Sequence, residues 1–127
     1  HKPISELVPE MIGMTQKLID TKHAYVSEDG SVYFDIKSFK KYGNLAHLDT
    51  KGMKSGARVK QDEYEKESVS DFALWKSYDD ADGENFWEAE FATKDGPKKL
   101  KGRPGWHIEC SACNLWGHGE QIDIHMG

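Results

Sequence analysis

Apolar residues recur at helical spacing near the start of the chain. Leu7, Met11, Met14 and Leu18 lie three or four residues apart, and further aliphatic residues flank them. This spacing places the four side chains on one face of a helix. The pattern therefore predicts an amphipathic helix whose apolar face packs into the core.

Two later stretches have the pattern of β-hairpins. Residues 24–26 and 32–36 are rich in β-branched and aromatic side chains, and they flank an Asp-Gly turn. In residues 86–92 one alternating set is apolar (Trp87, Ala89 and Phe91) and the other contains Glu88 and Glu90; the chain then turns at an Asp-Gly-Pro sequence and returns through 98–101. Such runs on either side of a tight turn are typical of hairpins. The sequence thus predicts two antiparallel hairpins.

Three more elements follow from the pattern. The apolar run at 72–75 suits a buried strand. Residues 106–116 contain no proline or glycine and follow Pro104-Gly105, which predicts a short helix beginning after that turn. Residues 121–125 alternate and predict a strand ending at His125. The carboxyl ends of strands in open α/β sheets face the ligand crevice, so this placement makes His125 a candidate site residue.

Composition limits the classes of protein that fit. The 127 residues suffice for one small domain, and 37% are apolar, 31% are charged and the mean hydropathy is -0.76. No apolar run is long enough to span a membrane. The net charge of -5 gives no overall support for nucleic-acid binding.

The two cysteines are three residues apart, so a disulfide between them would constrain little of the chain. This predicts a reducing, cytoplasmic setting. The first residue is His1 rather than Met, which predicts a segment of a longer protein.

The predicted second helix carries the candidate chemistry. Trp106, Cys110 and Cys113 lie at i, i+4 and i+7 on one face, with His107 beside them. Thiol and imidazole groups could ligate zinc, or the Cys-x-x-Cys could be a redox pair. Alternatively, the cysteines are small buried groups and Trp106 belongs to the core. Spacing alone favours the core interpretation over zinc. It favours the redox pair least, because no strand clearly leads into it.

A basic segment precedes this helix. It contains five cations within ten residues: Lys94, Lys98, Lys99, Lys101 and Arg103. They could contact the phosphates of a nucleic acid or a nucleotide. A solvated hairpin face explains the same charges, and we favour this second interpretation.

Four motifs resemble one enzyme family. Residues 102–112, GRPGWHIECSA, closely resemble the GRPGWHIECSAM signature of cysteinyl-tRNA synthetases. Residues 123–125 (DIH), 71–76 (DFALWK) and 56–59 (GARV) are similar to further motifs of that family. The motifs occur in the family's order over nearly the whole chain.

The resemblance implies a fold and an activity. The expected fold class is α/β: an α+β insertion joined to part of a Rossmann-like class I synthetase catalytic domain. Residues 1–101 would form the connective insertion. Residues 102–127 would form the start of the second Rossmann half, with its helix between two parallel strands. The parent enzyme would activate cysteine with ATP and Mg²⁺ and transfer it to tRNA(Cys), and it would act as a monomer. The other catalytic motifs would lie outside this chain, so the isolated chain is expected to be inactive.

The resemblance also implies residue roles. Cys110 would be one of four protein ligands of a Zn²⁺ ion that binds the substrate thiolate, and the other three ligands would lie outside this chain. Trp106 would line the cysteine pocket. His125 would bind substrate near the adenylate and take part in catalysis. Cys113 stands where the family usually has methionine, which implies a packing residue. The alternatives to an enzyme segment are a free-standing binding or scaffold protein derived from the synthetase, or a small zinc-binding module built on His107, Cys110 and Cys113 with His118 or His125.

Overall fold

A mainly antiparallel sheet with two helices packed on it forms the core of the fold. The computed structural model describes residues 2–45, 47 and 70–125, and the backbone of 58–59. Within these residues the strands are β1 (Ala24–Val26), β2 (Val32–Phe34), β3 (Arg58–Val59), β4 (Asp71–Ser77), β5 (Trp87–Thr93) and β6 (Gly96–Pro104). Their order is β1-β2-β4-β6-β5, and β3 pairs in parallel with the start of β4. The expected α/β class is confirmed.

The first helix forms where the apolar spacing predicts it. A 3-10 turn, Ile4–Leu7, leads into α1 (Val8–Asp20), which has a proline in its first turn. Leu7 and Met11 are buried in the core. Met14 and Leu18, farther along the same face, are only partly buried beside that core. The far half of this face therefore remains available to line a cavity.

Both predicted hairpins are confirmed. β1 pairs with β2 in the register Ala24↔Phe34, and the turn between them uses Gly30 at φ +81°. β5 pairs with β6 from Trp87↔Gly102 to Thr93↔Gly96. The first hairpin is shorter than predicted, because Ile36 enters a 3-10 turn instead of extending β2.

The predicted strand at 72–75 is the middle of β4, which joins the two hairpins through β2 and β6. Leu74 and Trp75 are buried, as expected for a central strand. Helix α2 (Trp106–His118) follows β6 and packs on β4 and α1. It buries Ile108 and Ala112, so the predicted helix is confirmed and extends two residues further.

The predicted strand at 121–125 is wrong. These residues form neither strand nor helix, and all of them are exposed. An alternating segment becomes a strand only when a sheet edge pairs with it, and the described residues place none beside this one. The expected parallel strands around α2 are likewise absent from the described residues, since β6 runs antiparallel to β4 and β5.

One core spans both predicted parts of the chain. The expected boundary between residues 101 and 102 falls inside β6. Leu7 and Met11 share a buried cluster with Ile108 and Ala112. The division into an insertion and a second half therefore stays a prediction about the parent protein, and these residues pack as one unit.

Asp71 connects the first hairpin to β4. Its buried carboxylate accepts hydrogen bonds from the Tyr25 hydroxyl (2.7 Å) and the Ile36 backbone N–H (3.2 Å). We expect Asp71→Ala to lower the free energy of unfolding by about 2–3 kcal/mol, because both donors lose their buried acceptor. Urea unfolding would measure this change. The exposed carboxylate of Asp80 is the matched control, and Asp80→Ala should change stability by less than about 0.5 kcal/mol. Equal losses in the two variants would contradict this account.

Asp82 makes stability depend on pH. A hydrogen bond from the Asp79 backbone, and then the nearby Arg103 guanidinium at 2.9 Å, hold the pKa of Asp82 below its ordinary 3.8. A lowered folded-state pKa adds stability above the unfolded-state pKa, and this stability is lost as the pH falls through the folded-state value. Wild type should therefore be more stable than Asp82→Asn at pH 6, and the difference should vanish in acid. Unfolding midpoints of both proteins from pH 6 to pH 2 would measure this, and a difference that does not change with pH would contradict it.

Candidate active site

Two glycines set where α2 begins. β6 ends at Pro104, and the Gly105 N–H donates a 2.8 Å hydrogen bond to the Leu74 carbonyl of β4. A Cβ added at Gly105 would lie 2.0 Å from the Ala73 carbonyl oxygen. One added at Gly102 would lie 1.9 Å from the Lys76 carbonyl oxygen. The absence of side chains at both positions lets β6 run close to β4, and this fixes the start of α2 over the sheet.

The face of α2 opposite the core carries the candidate residues. Ile108 and Ala112 point into the core, whereas Trp106 is 60% exposed and both cysteines are free and exposed. The interpretation of Trp106 and the cysteines as buried core is therefore wrong. The reason is helical phase: the buried stripe of α2 runs through 108 and 112, which leaves 106, 110 and 113 outside it.

A cavity of about 920 Å³ opens beside α2. This volume falls within the usual range for small-molecule sites, about 300–1,000 Å³. We call it the α2 cavity. Its apolar wall comes from α1, β2, β4 and the turn after β2, and its polar side comes from α2 and the segment after it. The lining residues used below are Met14, Leu18, Phe34, Tyr42, Phe72, Trp106, His107, Cys110, Ser111, Asn114 and His125.

The three residues assigned by resemblance lie in this cavity. Two of them, Trp106 and Cys110, lie on one stripe of α2 together with Asn114, and all three side chains of this stripe line the cavity. Gly119, at φ +75°, ends the helix, and the following segment places His125 against α2. Its Nδ1 lies 2.9 Å from the Asn114 side-chain nitrogen. The structure thus brings Trp106, Cys110 and His125 to one cavity, although they are up to 19 residues apart in sequence.

Cys113 does not share this position. It is exposed and does not line the α2 cavity. Over residues 2–45, 47, 58–59 and 70–125, no three His, Cys, Asp or Glu side chains lie close enough together to hold a metal ion. The described residues therefore do not support a self-contained zinc module. Cys110 fits the role of a single ligand, because its exposed thiol is a soft donor facing an open cavity.

Aromatic side chains that the sequence pattern did not single out as a group form one wall of the cavity. Phe34 and Phe72 stack with ring centroids 5.1 Å apart, and Tyr42 lies 6.3 Å from Phe34. The His107 ring sits 4.5 Å from Phe72. These residues come from β2, the turn after it, β4 and α2, so no local spacing could reveal the wall. The available signals were the DFALWK motif, which contains Phe72, and the GRPGWHIECSA motif, which contains His107.

Three of the five cations in the basic segment have acidic or aromatic neighbours. Lys99 lies opposite Glu90 and Lys101 opposite Glu88 across the β5–β6 pair. The Lys101 ammonium also lies 3.7 Å from the Tyr78 ring centroid and 4.0 Å from that of Phe86. Arg103 pairs with Asp82. These acidic and aromatic neighbours agree with the solvated hairpin face favoured from sequence.

Comparison with known proteins identifies the family. The sequence profile described as tRNA synthetases class I (C) catalytic domain matches residues 1–127. The chain belongs to this family.

Relatives within the family are cysteine–tRNA ligases. The chain is 46% identical to that of Chlamydia trachomatis serovar D over 121 residues, which cover 94% of this chain and 24% of the relative. It is 48% identical to that of Protochlamydia amoebophila over 126 residues, covering 97% and 25%. It is 47% identical to that of Chlamydia felis over 121 residues, covering 94% and 24%. The chain thus spans about a quarter of the length of these relatives.

Both α-helices of the described residues are 13 residues long. Neither α1 nor α2 has the length and the apolar character needed to cross a bilayer, as far as the described part of the chain extends.

Proposed function

We propose that this chain is part of a cysteine–tRNA ligase that activates cysteine with ATP and transfers it to tRNA(Cys). The observation that carries the proposal is the α2 cavity. Trp106, Cys110 and His125 line it together, in a chain 46–48% identical to cysteine–tRNA ligases. The proposal assigns residues 1–101 to a connective insertion and 102–127 to the start of the second half of the catalytic domain.

Cys110 is the proposed metal ligand. Its exposed thiol on the cavity wall can supply one thiolate to a Zn²⁺ ion whose other ligands lie outside this chain. A bound zinc would accept the thiolate of cysteine, which distinguishes it from serine because a hydroxyl is a harder and far less acidic donor. Position 110 suits this role, since the thiol sits on a helix fixed at its start by Gly105.

The neighbouring residues would position the rest of the substrate. Trp106 stands one turn before Cys110, and its large exposed ring can cover the substrate side chain. The Phe34–Phe72 wall faces the cavity from the sheet and offers the substrate an apolar surface there. His125 offers an imidazole on the far side of Asn114, where it can hydrogen-bond the adenylate. ATP with Mg²⁺ and tRNA(Cys) are the proposed further substrates of the parent protein.

Amino-acid-dependent ATP–pyrophosphate exchange by the full-length protein tests this proposal. We expect exchange with cysteine and none above background with serine, alanine or valine. We also expect close to one zinc ion per molecule by atomic emission. The isolated 127-residue chain should be inactive in the same assay. Exchange that responds equally to serine, or no exchange with any amino acid, would overturn the proposal.

A further inference from the structure

Asn114 is a polar residue of the α2 cavity for which neither the motifs nor the family assignment provides a role. It lies one turn after Cys110 and two turns after Trp106 on the same stripe of α2, and it is half-buried. Its side-chain nitrogen is 2.9 Å from Nδ1 of His125. This distance is that of a well-formed hydrogen bond.

His125 has little other support from its own segment. Residues 120–125 are exposed and form neither helix nor strand. An exposed ring on such a segment would otherwise sample several orientations, because a solvent-exposed side chain keeps most of its rotamer freedom. Asn114, by contrast, stands on a helix held to the core by Ile108 and Ala112. The hydrogen bond therefore ties a loosely packed ring to a rigid element.

The direction of this bond also fixes the proton on the ring. The Asn114 amide nitrogen can only donate, so Nδ1 of His125 must accept. A neutral imidazole that accepts at Nδ1 carries its proton on Nε2. His125 then presents an N–H donor, rather than a lone pair, at its outer nitrogen. Such a donor suits an oxygen atom of a bound carboxylate or phosphate.

We propose that Asn114 is a positioning residue, which holds His125 in the Nε2–H form so that it donates a hydrogen bond to an anionic oxygen of the bound substrate. The proposal rests on the proposed function, since that function supplies the anionic substrate. The role belongs to the side-chain amide: an aspartate of the same shape has no N–H to donate, and would draw the proton to Nδ1 instead.

The structural part of the proposal can be tested without substrate. The ¹⁵N resonances of full-length protein labelled at histidine report the tautomer, and the His125 signals are assigned by their loss in His125→Gln. We expect the Nε2–H form in wild type and the Nδ1–H form in Asn114→Asp. The matched control is Ser111→Ala, on the same helix and cavity, whose hydroxyl donates a hydrogen bond to the His107 carbonyl of its own helix. It should leave the tautomer unchanged. An unchanged tautomer in Asn114→Asp would overturn the proposal.

The functional part is tested by a double-mutant cycle in cysteine-dependent exchange. We expect Asn114→Ala and Asn114→Asp each to lower kcat/KM by about tenfold or more, as is usual when the partner that orients a functional histidine is removed. Asn114→Ala should cause no further loss in a His125→Ala background, because its effect passes through His125. Additive losses would overturn the proposal. If wild type shows no exchange but the tautomer responds as expected, the proposed function fails while the positioning of His125 stands.

Discussion

Replacing Cys110 with alanine in the full-length protein is expected to lower cysteine-dependent ATP–pyrophosphate exchange by about 10³-fold. A metal that binds the substrate contributes several kcal/mol to transition-state stabilisation, and each 1.36 kcal/mol changes the rate about tenfold. Cys110 supplies a thiol at the wall of the α2 cavity, next to Trp106. Without it, a zinc ion would lose one of its proposed ligands at the point where the substrate thiolate binds. Zinc content should fall in parallel, which gives a second measurement independent of rate.

Cys113→Ala is the matched control for this prediction. The two cysteines are both exposed and lie on the same helix, but Cys113 does not line the cavity. We expect exchange and zinc content within about twofold of wild type, as for an exposed substitution away from the site. Normal exchange in Cys110→Ala would remove the proposed metal role of this residue. A loss of zinc in both variants would favour a dithiol site instead.

Gly105→Ala is expected to lower the free energy of unfolding by about 4 kcal/mol or more, at the upper end of single-residue effects. The added Cβ would lie 2.0 Å from the Ala73 carbonyl oxygen and 2.8 Å from the Ala73 carbonyl carbon. Both are backbone atoms of β4, so no flexible side chain can move aside. The backbone at Gly105 has an ordinary φ of -75°, and the cost is therefore steric rather than conformational.

A second glycine separates this steric effect from the general effect of Gly→Ala. Gly13 lies inside α1, and a Cβ there would have no atom within 4 Å. Gly13→Ala should stabilise the protein by about 0.5–1 kcal/mol, because alanine favours the helix over glycine. Urea unfolding of wild type and both variants would measure the contrast. Similar changes in the two variants, or a stable Gly105→Ala protein, would contradict the close approach of β6 to β4.

The local elements could be predicted because each has a signal within a few residues. The apolar spacing of α1 and the Asp-Gly turn of the first hairpin depend only on neighbours in sequence, and both form as predicted. The strand predicted at 121–125 failed for the opposite reason. Alternation is a local signal, but a strand also needs a partner edge, and the segment after α2 has none among the described residues.

The candidate site could be predicted only in part. The motif at 102–112 pointed to Trp106 and Cys110, and the short DIH motif pointed to His125. Spacing alone favoured burial of the cysteines, since it contains no information about which face of α2 meets the core. The buried positions of Ile108 and Ala112 settle that phase.

The sequence by itself determined the family resemblance, both helices, both hairpins and the identity of the candidate residues. These depend on local spacing, turn chemistry and motif order, all of which can be read along the chain. Only the tertiary structure decided that Phe34 and Phe72 form a wall of the α2 cavity, that Cys110 lines it while Cys113 does not, and that Asn114 meets His125. Those relations depend on the phase of α2 against the core and on contacts between distant segments, which local patterns do not encode.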